Sequence, residues 1–459
     1  MLVIPCAGAQ TWFRRTVFVA GLGVILRIIV AFGLIPGMPQ VEDGPNYSRQ
    51  ALQILDGTVG HFYFPPGTSL LAVPVYAVFG QSTWTDHLLG TALTSGFLIV
   101  GIWFCYVVMG WGKATFIGAV LLAVYPHSVL SATQLNSEPL TAIFLGVAVG
   151  LTVRNSQRWS WRRWLGVAVC LAGAALTRPA SMAVLVMLGI GGMILWKRRR
   201  ISFAVLACAS AITIVVLAVS AYPVTAHNAR HGQGWTISTN NEFNLFVGNT
   251  PHTPDYRTGE FGQRPWEELS AEENAYLRTF LPHGRTYQAT QEERETMRRA
   301  AVDYMLRHPI RTLYRVTNRA RVFWGMDYTA ARGIQHAYGL ADAAVLPLLA
   351  VEGGFYTFFM LLVITAPFLA SRESRKHWIF IIGFVAALML PYLLAFAVPK
   401  YHLPAVLLLT PIAATAGAAI HDAPKDALLT MCRSPLWWTA IVAFCVVQAE
   451  LVVRLTLVR

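Results

Sequence analysis

The stretch VFVAGLGVILRIIVAFGLIPGMPQVEDGPNY, Val17 to Tyr47, joins an apolar run of bilayer length to the acid pair Glu42-Asp43. About 20 consecutive apolar residues cross the hydrocarbon of a membrane as one helix. The first polar groups after such a run stand at the mouth of a helix bundle. The rest of the chain repeats the pattern. Spans are expected at 16–36, 83–109, 114–131, 137–153, 164–177, 179–196, 202–222, 341–370, 377–398, 402–420 and 436–457. The expected fold is an all-α polytopic membrane protein with about 11 transmembrane helices. Composition agrees. The chain is 55% hydrophobic and 13% charged, with a mean hydropathy of +0.50, outside the range of soluble globular chains.

Three regions follow. Residues 1–222 form an amino-terminal membrane module with an outer first loop at 37–82. Residues 223–340 form a polar island of amphipathic helices, and 341–459 a carboxy-terminal membrane module. Segment 65–80 (PPGTSLLAVPVYAVFG) is apolar but half a span long, which suits a re-entrant or juxtamembrane piece.

The net charge of +13 is spread over the ends of the apolar runs: Arg14-Arg15, Arg154 to Arg163, Lys197 to Arg200, Arg372 to Lys376, and Lys425 with Arg433. Such short basic loops face the cytoplasm. The first span is then an uncleaved anchor with its amino terminus inside. The first loop, the turn Gln134–Asn136, Arg178, the island and Pro399-Lys400-Tyr401 face out. A nucleic-acid binder gathers its charge on one face of a soluble domain, so no nucleic-acid partner is expected. Cys6, Cys105, Cys170, Cys208, Cys432 and Cys445 show no metal spacing and read as small buried hydrophobes.

Within the island, 266–281 and 290–307 have helical composition, and His308-Pro309 breaks the second. Beyond it Ile310, Leu313, Val316, Ala320 and Phe323 make an apolar stripe. Arg311, Arg315 and Arg319 recur on another face. This suits a helix lying on a membrane surface, its basic face solvated and touching lipid headgroups.

The chain has no Walker A sequence, no glycine-rich dinucleotide loop and no Asp-x-Asp pair, so a soluble nucleotide donor is unsupported. Asp43, before Gly44-Pro45, fits either a helix N-cap or a working acid at the bundle mouth. Glu138 in SATQLNSEPL fits either a plain helix start with proline or a membrane-mouth acid with a task. Arg178 in LTRPAS and Lys400 in VPKYHLPAV lie in outer turns, where a cation either snorkels to headgroups or holds a phosphate. Lys400 is the only one of five lysines in an outer segment. His61, His127, His227, His231 and His402 also map outside. With Glu138 or Asp43 they are candidate ligands for a divalent metal, although no pair has tight ligand spacing.

In order, the chain shows Arg27 inside the first span and Asp43 followed by Tyr47 and Ala51. Tyr63-Phe64-Pro65-Pro66-Gly67, the Ser137-Glu138 turn and Thr177-Arg178-Pro179 come next. Gly248-Asn249-x-Pro251, the His308-Pro309 helix and Lys400-Tyr401-His402-Leu403-Pro404 complete the series. This order resembles the GT-C membrane glycosyltransferases, in the branch that contains protein O-mannosyltransferases and the lipid A aminoarabinose (ArnT-like) transferases. The resemblance implies an inverting hexosyl- or pentosyltransferase of a bacterial inner or plasma membrane. Its partners would be a polyprenyl-phosphate-linked sugar donor, a lipid, glycan or protein acceptor, and membrane lipids. It implies Asp43 as general base, with Glu138 orienting the acceptor, helping to bind a metal or holding the first loop. Arg178 and Lys400 would meet the leaving phosphate, and Glu42, Tyr47, Tyr63, Asn249, Tyr401 and His402 would line the substrate site. Two departures stand out. Gly44 replaces the second acid of the family's first-loop pair, and Lys400 replaces an arginine. A lipid or solute transporter shares the hydropathy and the outer acids. It would place more charge in mid-span and show internal repeats, and neither is seen here. A non-catalytic membrane scaffold is a further alternative.

Overall fold

Apolar runs long enough to span a bilayer have no water to satisfy their backbone, so they close their hydrogen bonds internally as helices. The structure is a computed structural model that describes residues 7–157, 159–256, 261, 264, 266–284, 286–371, 375, 377–423 and 425–457. Cys6, Arg372 and Lys376 lie outside the described residues. No strand occurs among the described residues.

The amino-terminal half runs through α1 (Ala7–Ile28, continued by a π-helical turn Ile29–Leu34), α2 (Gly44–Leu55), α3 (Gly67–Phe79), α4 (Thr83–Met109) and α5 (Lys113–Ala123). It continues as α6 (Pro126–Leu130), α7 (Ser137–Gln157), α8 (Trp161–Thr177), α9 (Val184–Lys197) and α10 (Phe203–Arg230). The island supplies α11 (Asn241–Gly248), α12 (Ala271–Phe280), α13 (Gln291–Arg307), α14 (Pro309–Phe323) and α15 (Thr329–Tyr338). The chain then returns through α16 (Asp342–Leu369), α17 (Trp378–Leu394), α18 (Leu403–Asp422), α19 (Lys425–Cys432) and α20 (Pro435–Leu457).

Eight of the described helical stretches are long and apolar enough to cross a membrane, and a ninth is a pair bent by 48° between Ala123 and Pro126. All eleven expected segments are helical. Trp161–Thr177 and Trp378–Leu394 have only 17 residues, so the count by length and apolarity is eight or nine rather than eleven. Segment 65–80 contains the 13-residue α3, interrupted by Pro74. The centre of the bundle is α18, buried almost continuously from Leu403 to Ala414 and packed on α16, α5, α7 and α4.

The break in the bent pair has a resident partner. Arg27, fully buried in α1, donates to the carbonyls of Gly23 (2.9 Å), Ala123 (3.1 Å) and Leu122 (3.1 Å) and to Ser128 Oγ (3.1 Å). Helix ends leave carbonyls unpaired, and the guanidinium fork satisfies them inside the bundle.

Of the two helical stretches expected in the island, 290–307 holds α13 almost end to end, whereas 266–281 is a 3-10 turn at Trp266–Glu268 followed by α12 from Ala271. Ser270 with Glu273, and Thr290 with Glu293, form reciprocal capping boxes for α12 and α13. His308-Pro309 separates α13 from α14. The outward apolar residues of α14 suit a helix lying on a membrane, but the solvated basic face expected beside them is not found. Arg315 and Arg319 are 0% and 1% exposed, whereas Ile310 and Leu313 are 86% and 64% exposed. Arg315 holds the carbonyls of Thr250 (3.0 Å) and Thr253 (2.5 Å) and pairs with Asp255 at 2.8 Å. The Asp255 carboxyl is raised by partial burial, but Arg311 and Arg315 outweigh this and hold it below its ordinary value. Five guanidinium donors on a rigid fork suit buried carbonyls better than water-facing display. That demand turns the basic face inward.

Candidate active site

Seven pieces of the chain meet at one end of the bundle: the loops between α1 and α2 and between α2 and α3, the starts of α7 and α11, the turns joining α8 to α9 and α17 to α18, and the helix α15. They enclose a cavity of about 1410 Å³ whose walls include Glu42, Asp43, Tyr47, Tyr63, Arg178, Lys400 and Tyr401. The basic residues Arg154, Arg163, Lys197 and Arg375 lie at the opposite ends of α7, α8, α9 and α17.

Lys400 sits at the centre of the charged wall. It follows Val398-Pro399 in a short 3-10 turn, and its side chain is only 9% exposed. Its Nζ donates to Glu42 Oε2 at 2.8 Å and Asp43 Oδ2 at 3.2 Å, and lies 3.9 Å from Glu138 Oε1. Glu138 is itself held by Arg178 Nη1 at 2.5 Å, and the same nitrogen donates to Ser137 Oγ at 3.2 Å. The Arg178 guanidinium stands 4.2 Å from the Tyr401 ring centroid and 5.7 Å from that of Tyr392. Three carboxylates and two cations thus share one network, in which Glu138, Arg178 and Lys400 are largely buried and so paired, while Glu42 and Asp43 stay open to the cavity.

Asp43 occupies the N-cap position of α2, yet its side chain makes no capping hydrogen bond. One carboxylate oxygen faces Lys400. The other has no hydrogen-bond partner among the described residues, and the side chain is 36% exposed toward the cavity. The neighbouring Tyr47 and Tyr63 hydroxyls are pushed up from their ordinary values, chiefly by burial and further by Asp43, so both stay neutral donors. Glu138 does not line the cavity. It lies behind it, 3% exposed, joining Arg178 to Lys400.

Two expected substrate contacts do not reach the cavity. Asn249 is buried, donating to the carbonyls of Leu245 (2.9 Å) and Leu394 (2.8 Å) and accepting from Arg319 at 3.1 Å. His402 is buried too. Its Nδ1 lies 2.7 Å from the Phe323 carbonyl and its Nε2 2.9 Å from Asp327 Oδ1, with its ring stacked on Tyr356. Both serve as anchors because their polar atoms are consumed by backbone and by Asp327. Among the other histidines, His127 pairs with Glu352 at 2.7 Å and the rings of His227 and His231 lie 4.3 Å apart. No group of three or more His, Cys, Asp or Glu among the described residues is arranged to hold a metal ion.

Several site residues escaped the sequence reading. Gln40 and Gln134 form a reciprocal clamp. Gln40 donates to the Thr133 carbonyl (2.7 Å) and accepts from Leu135 N (2.7 Å). Gln134 accepts from Val41 N (2.8 Å) and donates to the Pro39 carbonyl (3.1 Å). The clamp delivers Glu42 in the left-handed region, φ 54°, a conformation that costs a non-glycine residue roughly 1–3 kcal/mol. It also explains Gly44. A Cβ there would lie 2.5 Å from Gln40 Oε1 and 3.2 Å from Gln40 Cβ. Gly44→Ala is therefore expected to displace the Gln40 amide and free two hydrogen bonds, each contributing about 0.5–1.5 kcal/mol. Amide hydrogen exchange over 38–44 should quicken in that variant as it does in Gln40→Ala; unchanged protection would remove the clamp from the account. Arg332, which pairs with Asp342 at 3.2 Å, and His336, four residues on in α15, also line the cavity. Asn240, Asn241 and Asn244 on α11 add amides. An i, i+4 basic pair was the only signal for the first, and nothing local marked the second.

No family model matches the chain, and no curated protein matches it. Among solved structures it is similar to ArnT from Cupriavidus metallidurans bound to undecaprenyl phosphate, at 13% identity and a TM-score of 0.40, over 84% of this chain and 77% of that one. It is similar to the apo state of the same protein at 14% identity and a TM-score of 0.39, over 91% of this chain and 80% of that one.

Proposed function

We propose that the chain is an integral-membrane glycosyltransferase that moves a sugar from a polyprenyl-phosphate-linked donor to an acceptor hydroxyl on the extracytoplasmic face. The observation that carries this reading is Lys400 Nζ lying 2.8 Å and 3.2 Å from the Glu42 and Asp43 carboxylates on the wall of a large cavity at one end of the bundle. Arg154, Arg163, Lys197 and Arg375 lie at the opposite ends of α7, α8, α9 and α17, which by the positive-inside bias turns the cavity away from the cytoplasm.

In the proposed reaction the acceptor oxygen attacks the anomeric carbon as its proton passes to the free oxygen of Asp43. The bond from that carbon to the phosphate oxygen breaks, and its electron pair leaves with the lipid phosphate. Configuration inverts because a single displacement occurs. Lys400, keeping its carboxylate partners and turning a remaining N–H to the phosphate, meets the growing negative charge. Glu138 keeps Arg178 and Lys400 in register as a positioning residue. An ammonium already occupies the point between Glu42, Asp43 and Glu138 where a divalent cation would need to bind. We assign the charge-neutralising role to Lys400 rather than to a metal.

The test is reconstitution in vesicles with a polyprenyl-phosphate-linked sugar and an envelope extract as the acceptor source. Acceptor-dependent release of free polyprenyl phosphate, undiminished by EDTA, is the expected result. Intact donor appearing in the opposite leaflet with no release would favour a flippase instead.

A further inference from the structure

We propose that α11 reads an uncharged, hydroxyl-rich sugar ring on the donor through the side-chain amides of Asn240 and Asn244. The inference rests on the donor-lipid reading above and adds the class of sugar. The cavity has two unlike walls. One carries the carboxylates and cations. The other presents Asn240, Phe243 and Asn244 together with Phe396, which packs in the same apolar cluster as Phe243.

Residues four apart share one face of a helix, so Asn240 and Asn244 project side by side. Asn240 occupies the N-cap position of α11, but its side chain makes no capping bond. Neither amide group has a hydrogen-bond partner among the described residues, in contrast to Asn241, which donates to Ser238 Oγ at 3.2 Å. A primary amide offers two donors and an acceptor, which matches the mixed donor and acceptor character of vicinal hydroxyls. The aromatic neighbours supply flat apolar area for the carbon face of a ring. No carboxylate of α11 lines this wall, since Glu242 turns to Arg294 at 3.7 Å. A cationic sugar would therefore find no counter-charge on this wall, whereas a neutral one leaves nothing unpaired.

The amides are held in place by the Gly248-Asn249 motif. A Cβ at Gly248 would strike the Ala395 carbonyl oxygen, so only glycine permits the approach. Arg319 takes the carbonyls of Gly248, Leu393 (2.9 Å) and Leu394 (2.9 Å) in one fork. The carboxy-terminal end of α11 is thus fastened to the end of α17, whose continuation carries Lys400. A recognition group fixed relative to the phosphate-binding cation is what a two-part ligand needs.

The experiment uses the full chain in lipid nanodiscs and two probes of equal charge: a polyprenyl methyl phosphate, and the same lipid phosphate bearing a neutral hexose. The wild type is expected to prefer the hexose lipid by about 10-fold or more, the yield of two neutral hydrogen bonds. Asn240→Ala/Asn244→Ala should bind both lipids alike, with affinity for the methyl phosphate unchanged. A preference kept by the double variant, an equal loss for both lipids, or no preference in the wild type overturns the subsite alone. A wild type that binds neither lipid overturns the donor reading with it.

Discussion

Asp43→Asn is expected to lower the rate of sugar transfer by roughly 100- to 10,000-fold, the range over which a positioned general base contributes. Asparagine keeps the shape of the side chain and removes its capacity to take a proton. The site should otherwise survive. Lys400 retains Glu42 at 2.8 Å, and the first loop stays fastened by Gln40 and Gln134. Binding of a polyprenyl phosphate should therefore remain near wild type while acceptor-dependent release of lipid phosphate disappears. Turnover close to that of the wild type would show that the acceptor proton goes elsewhere.

Lys400→Met carries the second large effect. Removing one fixed donor to a developing anion costs about 100- to 1,000-fold in turnover. Here the loss is compounded, because Glu42, Asp43 and Glu138 all lie within 3.9 Å of the Lys400 ammonium. Without it, like charges share a partly buried site and repel both one another and the donor phosphate. Donor binding and turnover should fall together, and Lys400→Arg should restore part of both by returning the charge. Lys113→Met is the control. Its ammonium pairs with an Asp422 side chain that is 58% exposed, and exposed pairs contribute little. Equal losses in the two methionine variants would remove Lys400 from the phosphate site.

Much of the fold was legible in the chain because a bilayer imposes one rule on every span. Apolar length marks the helices, and Ser-x-x-Glu, Thr-x-x-Glu and His-Pro mark the boundaries of α12, α13 and α14. The placement of Asp43, Glu138, Arg178 and Lys400 at one end of the bundle was legible for a related reason. Each lies where a span turns, and alternate turns share a side. The burial of the basic face of α14 was not legible. Ile310 and Leu313 face out as a membrane-surface helix requires, but nothing local showed that Arg315 and Arg319 would turn in to hold backbone carbonyls far along the chain. Asn249 and His402 belong to the same class of error. Their neighbours in sequence reach the cavity, and only the partners Leu394 and Phe323, far along the chain, show that their own polar atoms are spent. The Gln40 and Gln134 clamp joins residues 93 apart and leaves no local signature.

Arg27 has a consequence for how the molecule is made. Its acceptors outside α1, on Leu122, Ala123 and Ser128, are 95 to 101 residues downstream. During synthesis the first helix must therefore enter the bilayer with only its own Gly23 carbonyl to meet the guanidinium, at a cost of up to about 2.5–3.5 kcal/mol, the value for a central arginine. The remaining apolar length of Gly8–Leu34 is enough to carry that load. The penalty is removed only when α5 and α6 arrive, so α1 has a standing reason to wait for that pair.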